Sequence, residues 1–328
     1  MDRLGDLICT LPVDQHPEIQ KKFDHVQWLI AKGLEPVMEC SQPKRKFWSI
    51  ELKFSFLHFY KLIQKLKTES FEQVVLFYAP WWVAMACWVS RIPLRYSPRS
   101  RWFQLLFFNH TLKQKRSLSA KHEAKYNWDL LHWSITGEFS TNLETPFLEL
   151  KSDSPLPSIL PPKFIVIHPG MGGSALNWPA PFYLILIQKL LARGNNIVIT
   201  GTASDREWLT LLEKPLQSLP GVFWLVGQLD LKTLISVLAH STATIAPSTG
   251  VLHLAASTGT KTIGIYSPIR VQTPRRWGPR GLSTIALTPT VNCPATTFCL
   301  ESKCKQYPCL EQITPDQIIA EIFKETGL

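Results

Sequence analysis

Apolar positions in the second half of the chain switch regularly between two patterns. "FIVIHPG" (Phe164 to Gly170), "NIVITG" (Asn196 to Gly201), "VFWLVG" (Val222 to Gly227), "ATIAPSTG" (Ala243 to Gly250) and "KTIGIYSP" (Lys261 to Pro268) are short apolar runs that end in turn residues. That is the pattern of strands buried on both faces. Between them, "PFYLILIQKLLARG" (Pro181 to Gly194), "DREWLTLLEKPL" (Asp205 to Leu216), "LKTLISVLAHS" (Leu231 to Ser241) and "VLHLAASTG" (Val251 to Gly259) read as helices. The first of these opens with proline and closes with glycine, the expected helix boundaries. Strands alternating with helices imply a parallel sheet covered on both faces, a Rossmann-like half.

The first half is less regular. Helix "EIQKKFDHVQWLIAKG" (Glu18 to Gly33), helix "FSFLHFYKLIQKLK" (Phe54 to Lys67), strand "QVVLF" (Gln73 to Phe77) and helix "KHEAKYNWDLLHWSITG" (Lys121 to Gly137) suit a second α/β domain. The proline-rich stretch Lys151 to Lys163 interrupts the periodicity and reads as a linker. Domains of 1–155 and 156–328 follow, and 328 residues suit two cores better than one. Two Rossmann-like halves joined by a linker predict a ligand cleft between domains.

Composition is that of a packed globular chain, with 45% hydrophobic residues and twelve tryptophans. A formal net charge of +10 suggests an anionic partner. Between Arg91 and Lys125 there are nine Lys or Arg against one acid, Glu123, with Trp102, Phe103, Phe107 and Phe108 interleaved. That reads either as a basic, amphipathic binding surface or as an ordinary solvated face. The longest uncharged stretch, Val74 to Ser90, has 17 residues and an internal proline. It is shorter than a membrane span needs and reads as a core strand leading into a helix. The N-terminus carries acids and lacks an apolar core segment, so no secretory leader is expected.

Four of the seven cysteines cluster as C-x5-C-x4-C-x4-C (Cys293, Cys299, Cys304, Cys309), and Cys9, Cys40 and Cys87 are scattered. The spacing differs from the paired C-x2-C ladders of common zinc sites, so a loop of reduced thiols is expected, without a metal.

Three turns at predicted strand ends carry candidate chemistry. "HPGMGGSALNWP" brings Gly170, Gly172, Gly173, Ser174 and Asn177, a loop whose N–H groups an anion can approach. "TGTASDRE" places Asp205 at a helix start, where a carboxylate caps the helix or accepts from ribose hydroxyls. In "APSTGVLHLAASTGT", Ser248, Thr249 and Gly250 precede the helix carrying Val251 and His253, an arrangement suited to a diphosphate. His253 within it suits a phosphate contact or a structural hydrogen bond. Dinucleotide, P-loop, nucleophile-elbow and zincin motifs are absent from the sequence.

In that order, "DRLGDLICTLP", "HPGMGGSALNWP", "ITGTASDRE", "APSTGVLHLAASTGTKTIGIYSP" and "RRWGPRG" resemble the ADP-heptose:lipopolysaccharide heptosyltransferases, the family 9 glycosyltransferases. The resemblance extends from Asp2 to "ITPDQIIAEIF". It implies an α/β GT-B fold, two Rossmann-like domains with parallel sheets facing across a cleft, and a last helix that crosses back to the first domain. It also implies inverting transfer without a metal or other cofactor. The implied donor is a nucleotide sugar, ADP-heptose in the family proper, and the implied acceptor is a phosphorylated lipopolysaccharide-type glycan.

By the same resemblance the family's Gly-Asp turn falls on Gly5 and Asp6, making Asp6 the expected general base. Thr249, Gly250, Val251 and His253 would stabilise the leaving diphosphate, and Asp205 the ribose. Gly5, Arg99, Arg101 and His122 are the expected acceptor contacts. A cytoplasmic enzyme, peripheral at the inner face of the cytoplasmic membrane, is implied, with the basic stretch meeting acceptor phosphates and anionic lipid. Nucleic acid is not an expected partner, because no recognition helix or RNA-binding signature is present.

Three departures stand out. The family's turn follows an apolar strand, whereas only Met1 to Arg3 precede Gly5 here, so the first sheet is expected to lack a central strand and the natural start to lie upstream. Leu176 stands where heptosyltransferases usually carry lysine, and Ser248 where they carry aspartate. The lost charges keep open another nucleotide sugar, or a non-catalytic GT-B protein that binds a glycan or nucleotide.

Overall fold

The computed structural model describes residues 3–139, 144–170, 172–173 and 175–324. Its contacts divide the chain into two units: 1–39, 43–116 and 123–147 form the first, and 40–42, 117–122 and 148–328 the second. The short strands Ser41–Gln42 and Glu149–Leu150 pair antiparallel within the second.

The first unit opens with helix Leu4–Thr10, whose Leu7 and Leu11 side are buried. Residues 18–33, expected as one helix, divide instead: helix Pro17–Lys22 stops at Phe23, and Gln27–Ala31 is a strand pairing in parallel with Lys46–Ile50. The apolar run around Trp28 and Ile30 fits a buried strand as well as a helix, and sheet pairing decides between them. A separate parallel sheet holds Gln73–Val75, Leu94–Pro98 and His110–Leu112 in that order. Helices Phe56–Glu69, Trp81–Val89 and Trp102–Phe107 cover it through Leu62, Leu66, Trp82, Val83, Phe103 and Phe107.

Among the described residues the first unit's parallel strands therefore stand in two pieces. Strands Gln27–Ala31 and Gln73–Val75 both line one apolar slot of about 210 Å³.

The second unit holds six parallel strands in the order Val222–Trp224, Ile197–Ile199, Ile165–Ile167, Ala243–Pro247, Thr262–Ile265 and Thr284–Leu287. The four central strands are buried at every position, as their unbroken apolar runs require. In chain order the arrangement is 3-2-1-4-5-6, the doubly wound order with its switch point between the first and fourth strands. Helix Pro315–Phe323 sends Ile318, Ile319 and Ile322 into this unit's core. Its start is held where Trp178 Nε1 donates to the Ile313 carbonyl at 3.0 Å, and Lys189 pairs with Asp316. The apolar face of this helix is thereby buried in the second unit.

Candidate functional site

The switch point fixes where a ligand can sit, because the connections leaving the two central strands diverge and open a crevice at their carboxyl ends. Strand Ile165–Ile167 delivers His168, Pro169 and Gly170 there, and strand Ala243–Pro247 delivers Ser248, Thr249 and Gly250. The His168 N–H donates to the Ile245 carbonyl at 2.9 Å, locking the start of one loop to the strand that feeds the other.

Each part of the glycine loop has a distinct physical task. A Cβ on Gly170 would lie 2.5 Å from Asp205 Cγ and 2.7 Å from its Oδ2, so only glycine leaves room for that carboxylate. Gly172 and Gly173 have φ of +53° and +71° with open space around them, so their demand is conformational. Asn177 ties the loop to itself, Nδ2 donating to the Pro169 carbonyl at 2.8 Å and Oδ1 accepting from Trp178 N at 2.8 Å and Tyr183 Oη at 3.2 Å. Asn177, expected as a donor contact, thus holds the loop together through its side chain. Ser174 lies outside the described residues.

Asp205 is buried and reaches back rather than forward. Its Oδ2 accepts from Thr202 N at 2.8 Å and Thr202 Oγ1 at 2.6 Å, and it gives no side-chain cap to the helix beginning at Arg206. Beside it, His168 Nδ1 lies 2.9 Å from Thr200 Oγ1. Burial pushes the His168 pKa down to about 4, only partly opposed by the Asp205 charge. Thr200 and Thr202, which the sequence reading passed over, complete this knot.

Helix Gly250–Ser257 begins after Thr249, which is extended (φ −139°, ψ 165°) and makes no side-chain cap. Its positive dipole end thus faces the crevice, while the Leu252 N–H donates to the Thr249 carbonyl at 3.1 Å. Ser248 is half-buried at the same edge. His253 is buried, and burial with the neighbouring His122 lowers its pKa to about 3, so it is a neutral imidazole at pH 7.

His122 is the displaced expectation. The segment 117–122 belongs to the second unit, where His122 Nε2 donates to the Gly278 carbonyl at 2.9 Å and Arg275 Nε donates to the Ala120 carbonyl at 3.2 Å. This places His122 in the second unit, close to His253 of helix Gly250–Ser257. The loop carrying "RRWGPRG" wraps that helix closely: a Cβ on Gly281 would collide with the Ala256 carbonyl oxygen. Leu176 packs against the core and toward the cysteine loop, so its apolar character follows from packing.

In the first unit, Gly5 and Asp6 lie half-buried in the first turn of helix Leu4–Thr10. Arg99 and Arg101 are exposed just beyond strand Leu94–Pro98. Arg101 donates from Nη2 to Tyr78 Oη at 2.9 Å and stacks over its ring at 4.6 Å, so an aromatic fixes the guanidinium at the carboxyl edge of that sheet.

The sequence profile of glycosyltransferase family 9, the heptosyltransferases, matches residues 59–307. The chain belongs to this family. A Haemophilus influenzae protein that carries a provisional glycosyltransferase name is 32% identical over 238 residues, 67% of each chain. The fold is similar to that of Escherichia coli ADP-heptose lipopolysaccharide heptosyltransferase II, with a TM-score of 0.77 at 17% identity over 98% of this chain and 95% of that one. E. coli heptosyltransferase WaaC, solved with ADP, gives 0.69 at 17% identity over 98% of each chain. The protein is accordingly a glycosyltransferase of heptosyltransferase type with the GT-B α/β fold.

The two buried histidines of the family 9 site give it a pH signature. Their folded pKa values lie below the unfolded value of 6.5, so between pH 6.5 and about 4 for His168, and about 3 for His253, the unfolded chain binds more protons. Stability is fully present above pH 6.5 and falls through that window on acidification. His168→Gln is expected to flatten the decline in melting temperature between pH 6.5 and 4, measured by scanning calorimetry in matched buffers; an unchanged slope would remove His168 as its source.

Proposed function

We propose that this family 9 glycosyltransferase transfers a heptose or related sugar, with inversion, from a nucleoside-diphosphate donor, ADP-heptose being favoured, to a phosphorylated lipopolysaccharide-core glycan. Asp6 takes the proton of the acceptor hydroxyl, the oxygen attacks the anomeric carbon, and the bond to the diphosphate breaks. No metal takes part in this step. The Gly250 and Val251 N–H groups, with Ser248, Thr249 and neutral His253, hold the negative charge that develops on the leaving diphosphate.

The observation that carries this reading is the uncapped first turn of helix Gly250–Ser257 beside the Gly170 loop at the sheet's switch point. Gly172, Gly173 and Ser174 supply further donor-loop groups. Asp205 acts on the ribose through the carboxylate it packs on Gly170, with Asn177 holding the loop. On the acceptor side, Gly5, Arg99 and Arg101 bind the glycan and its phosphates. His122 serves the donor side through His253. Calorimetric titration with ADP, UDP, GDP and CMP tests the donor: selective ADP binding is expected, and binding of none would overturn the reading. Selectivity for another nucleotide would keep the site and replace the sugar donor, a reading favoured by the apolar packing of Leu176.

The place of action is proposed to be the inner face of the cytoplasmic membrane. Among the described residues no helix is long and apolar enough to cross a membrane. Three neighbouring helices of the first unit instead expose Phe56 (82%), Leu57, Trp81, Trp88, Trp102 (70%) and Leu106, with Arg91, Arg99 and Arg101 alongside. Apolar side chains rimmed by cations suit the interface of an anionic lipid surface. The double substitution Trp102→Ser with Leu106→Ser is expected to weaken sedimentation with phosphatidylglycerol vesicles about tenfold or more. Unchanged partitioning would exclude this face.

A further inference from the structure

From Gln73 to His122 the chain carries eight lysines and arginines and no acid. Two of these arginines are used inside the fold: Arg95 Nε donates to the Phe107 carbonyl at 2.8 Å, and Arg116 pairs with Glu123. Arg99 and Arg101 are placed differently. Both are exposed where strand Leu94–Pro98 ends, at the edge of a parallel sheet where ligands bind, and among the described residues neither pairs with a carboxylate.

The segment that carries them is fixed by its own hydrogen bonds. The Arg99 N–H donates to the Leu112 carbonyl at 2.7 Å, tying the exit of one strand to the end of its neighbour. Buried Gln104 then gathers the next two residues on one oxygen: its Oε1 accepts from Ser100 N at 2.8 Å, Ser100 Oγ at 3.1 Å and Arg101 N at 2.8 Å. The Arg101 side chain is held separately, by half-buried Tyr78, which follows the adjoining strand Gln73–Val75. The ring covers one face of the guanidinium at 4.6 Å and Oη accepts from Nη2 at 2.9 Å, which leaves further N–H groups in the plane of the fork for a ligand. A long exposed side chain ordinarily loses rotamer freedom when it binds a ligand. Here the tyrosine has already imposed that loss.

We propose that Tyr78 is a positioning residue that sets a preference for a phosphorylated acceptor, by holding the Arg101 guanidinium where its edge meets a phosphate monoester. Tyr78 acts here through Arg101, so the role rests on the proposed acceptor contacts of Arg99 and Arg101. A phosphate takes parallel N–H bonds from the planar fork, so orientation counts as well as charge. Gln104 sets the backbone from which the side chain leaves, and Tyr78 sets where the fork points. Anionic lipid headgroups offer the same phosphate chemistry, but a lipid surface attracts cations through its potential whichever way they point. A fork fixed in one orientation suits a single defined phosphate.

The test measures binding of a lipopolysaccharide-core oligosaccharide to the full chain by calorimetry, with its phosphates intact and after phosphatase treatment. Wild type is expected to bind the phosphorylated form about tenfold or more tightly. Tyr78→Leu should lower that preference about 3- to 10-fold and leave affinity for the dephosphorylated form within about twofold. Tyr78→Phe keeps the ring and should lose less. Arg101→Leu should lose at least as much as Tyr78→Leu, and the double variant no more than Arg101→Leu alone, because one residue acts through the other. In transfer assays the Tyr78→Leu change should appear in KM for the phosphorylated acceptor and not in kcat. If Tyr78→Leu does not fold, Tyr78→Phe, Arg101→Leu and their double variant decide. Equal weakening of both acceptor forms, additive effects of the two substitutions, or a loss confined to partitioning onto phosphatidylglycerol vesicles would overturn the role. A wild-type chain that binds both forms equally, or neither, would remove the site, and glycosyl transfer by that chain would leave the wider reading standing. Nucleotide titration on the same samples reports the donor reading separately.

Discussion

Asp6→Asn is expected to lower the rate of glycosyl transfer by about 10²- to 10⁴-fold, the usual contribution of a positioned general base. The substitution keeps shape and hydrogen-bonding capacity but removes the ability to take up a proton. Helix Leu4–Thr10 holds Asp6 through a chain of polar contacts inside the first unit. Thr10 Oγ1 donates to the Asp6 carbonyl at 2.6 Å, Asn127 Nδ2 to Thr10 Oγ1 at 2.7 Å, and Arg116 Nη2 to Asn127 Oδ1 at 3.0 Å, with Arg116 paired to the buried Glu123. These bonds reach Asp6 through its backbone carbonyl. Nucleotide affinity, which rests on second-unit groups, should stay within about twofold while product formation, followed by mass spectrometry, collapses. Transfer at the wild-type rate would place the base elsewhere.

The second large effect belongs to Gly170→Ala. The added Cβ meets the Asp205 carboxylate at 2.5 to 2.8 Å, and that carboxylate is fastened by Thr202 N and Oγ1. Neither side can yield without breaking one of those bonds or moving the loop off strand Ile165–Ile167. Overpacking of this kind costs about 1 to 3 kcal/mol. A lowered melting temperature and at least tenfold weaker nucleotide binding are expected, since the displaced loop lines the proposed donor crevice. Gly172→Ala is the informative contrast: its φ of +53° is strained for alanine but its surroundings are open, so a smaller loss follows. Equal behaviour of the two variants would show that backbone conformation, not the Asp205 contact, governs the loop.

The second unit was largely legible because parallel strands buried on both faces leave unbroken apolar runs, and all five strands expected from them are present. The sixth, Thr284–Leu287, is an edge strand without such a run. In the first unit the same ambiguity worked the other way. Trp28, Leu29 and Ile30 sit in a strand beside Lys46–Ile50, and nothing local separates that strand from the end of a helix.

Chain order and local chemistry determined the βα alternation, the glycine turns at strand ends and the family, because these depend on residues close together in sequence. Tertiary structure alone decided which turns meet: the 3-2-1-4-5-6 order puts the Gly170 and Thr249 loops side by side although about 80 residues separate them. It also moved His122 to helix Gly250–Ser257, turned Asn177 and Asp205 inward, and gathered four cysteines around one cavity. Those outcomes depend on which buried polar groups find partners once the sheets assemble, a competition among residues distant in the chain.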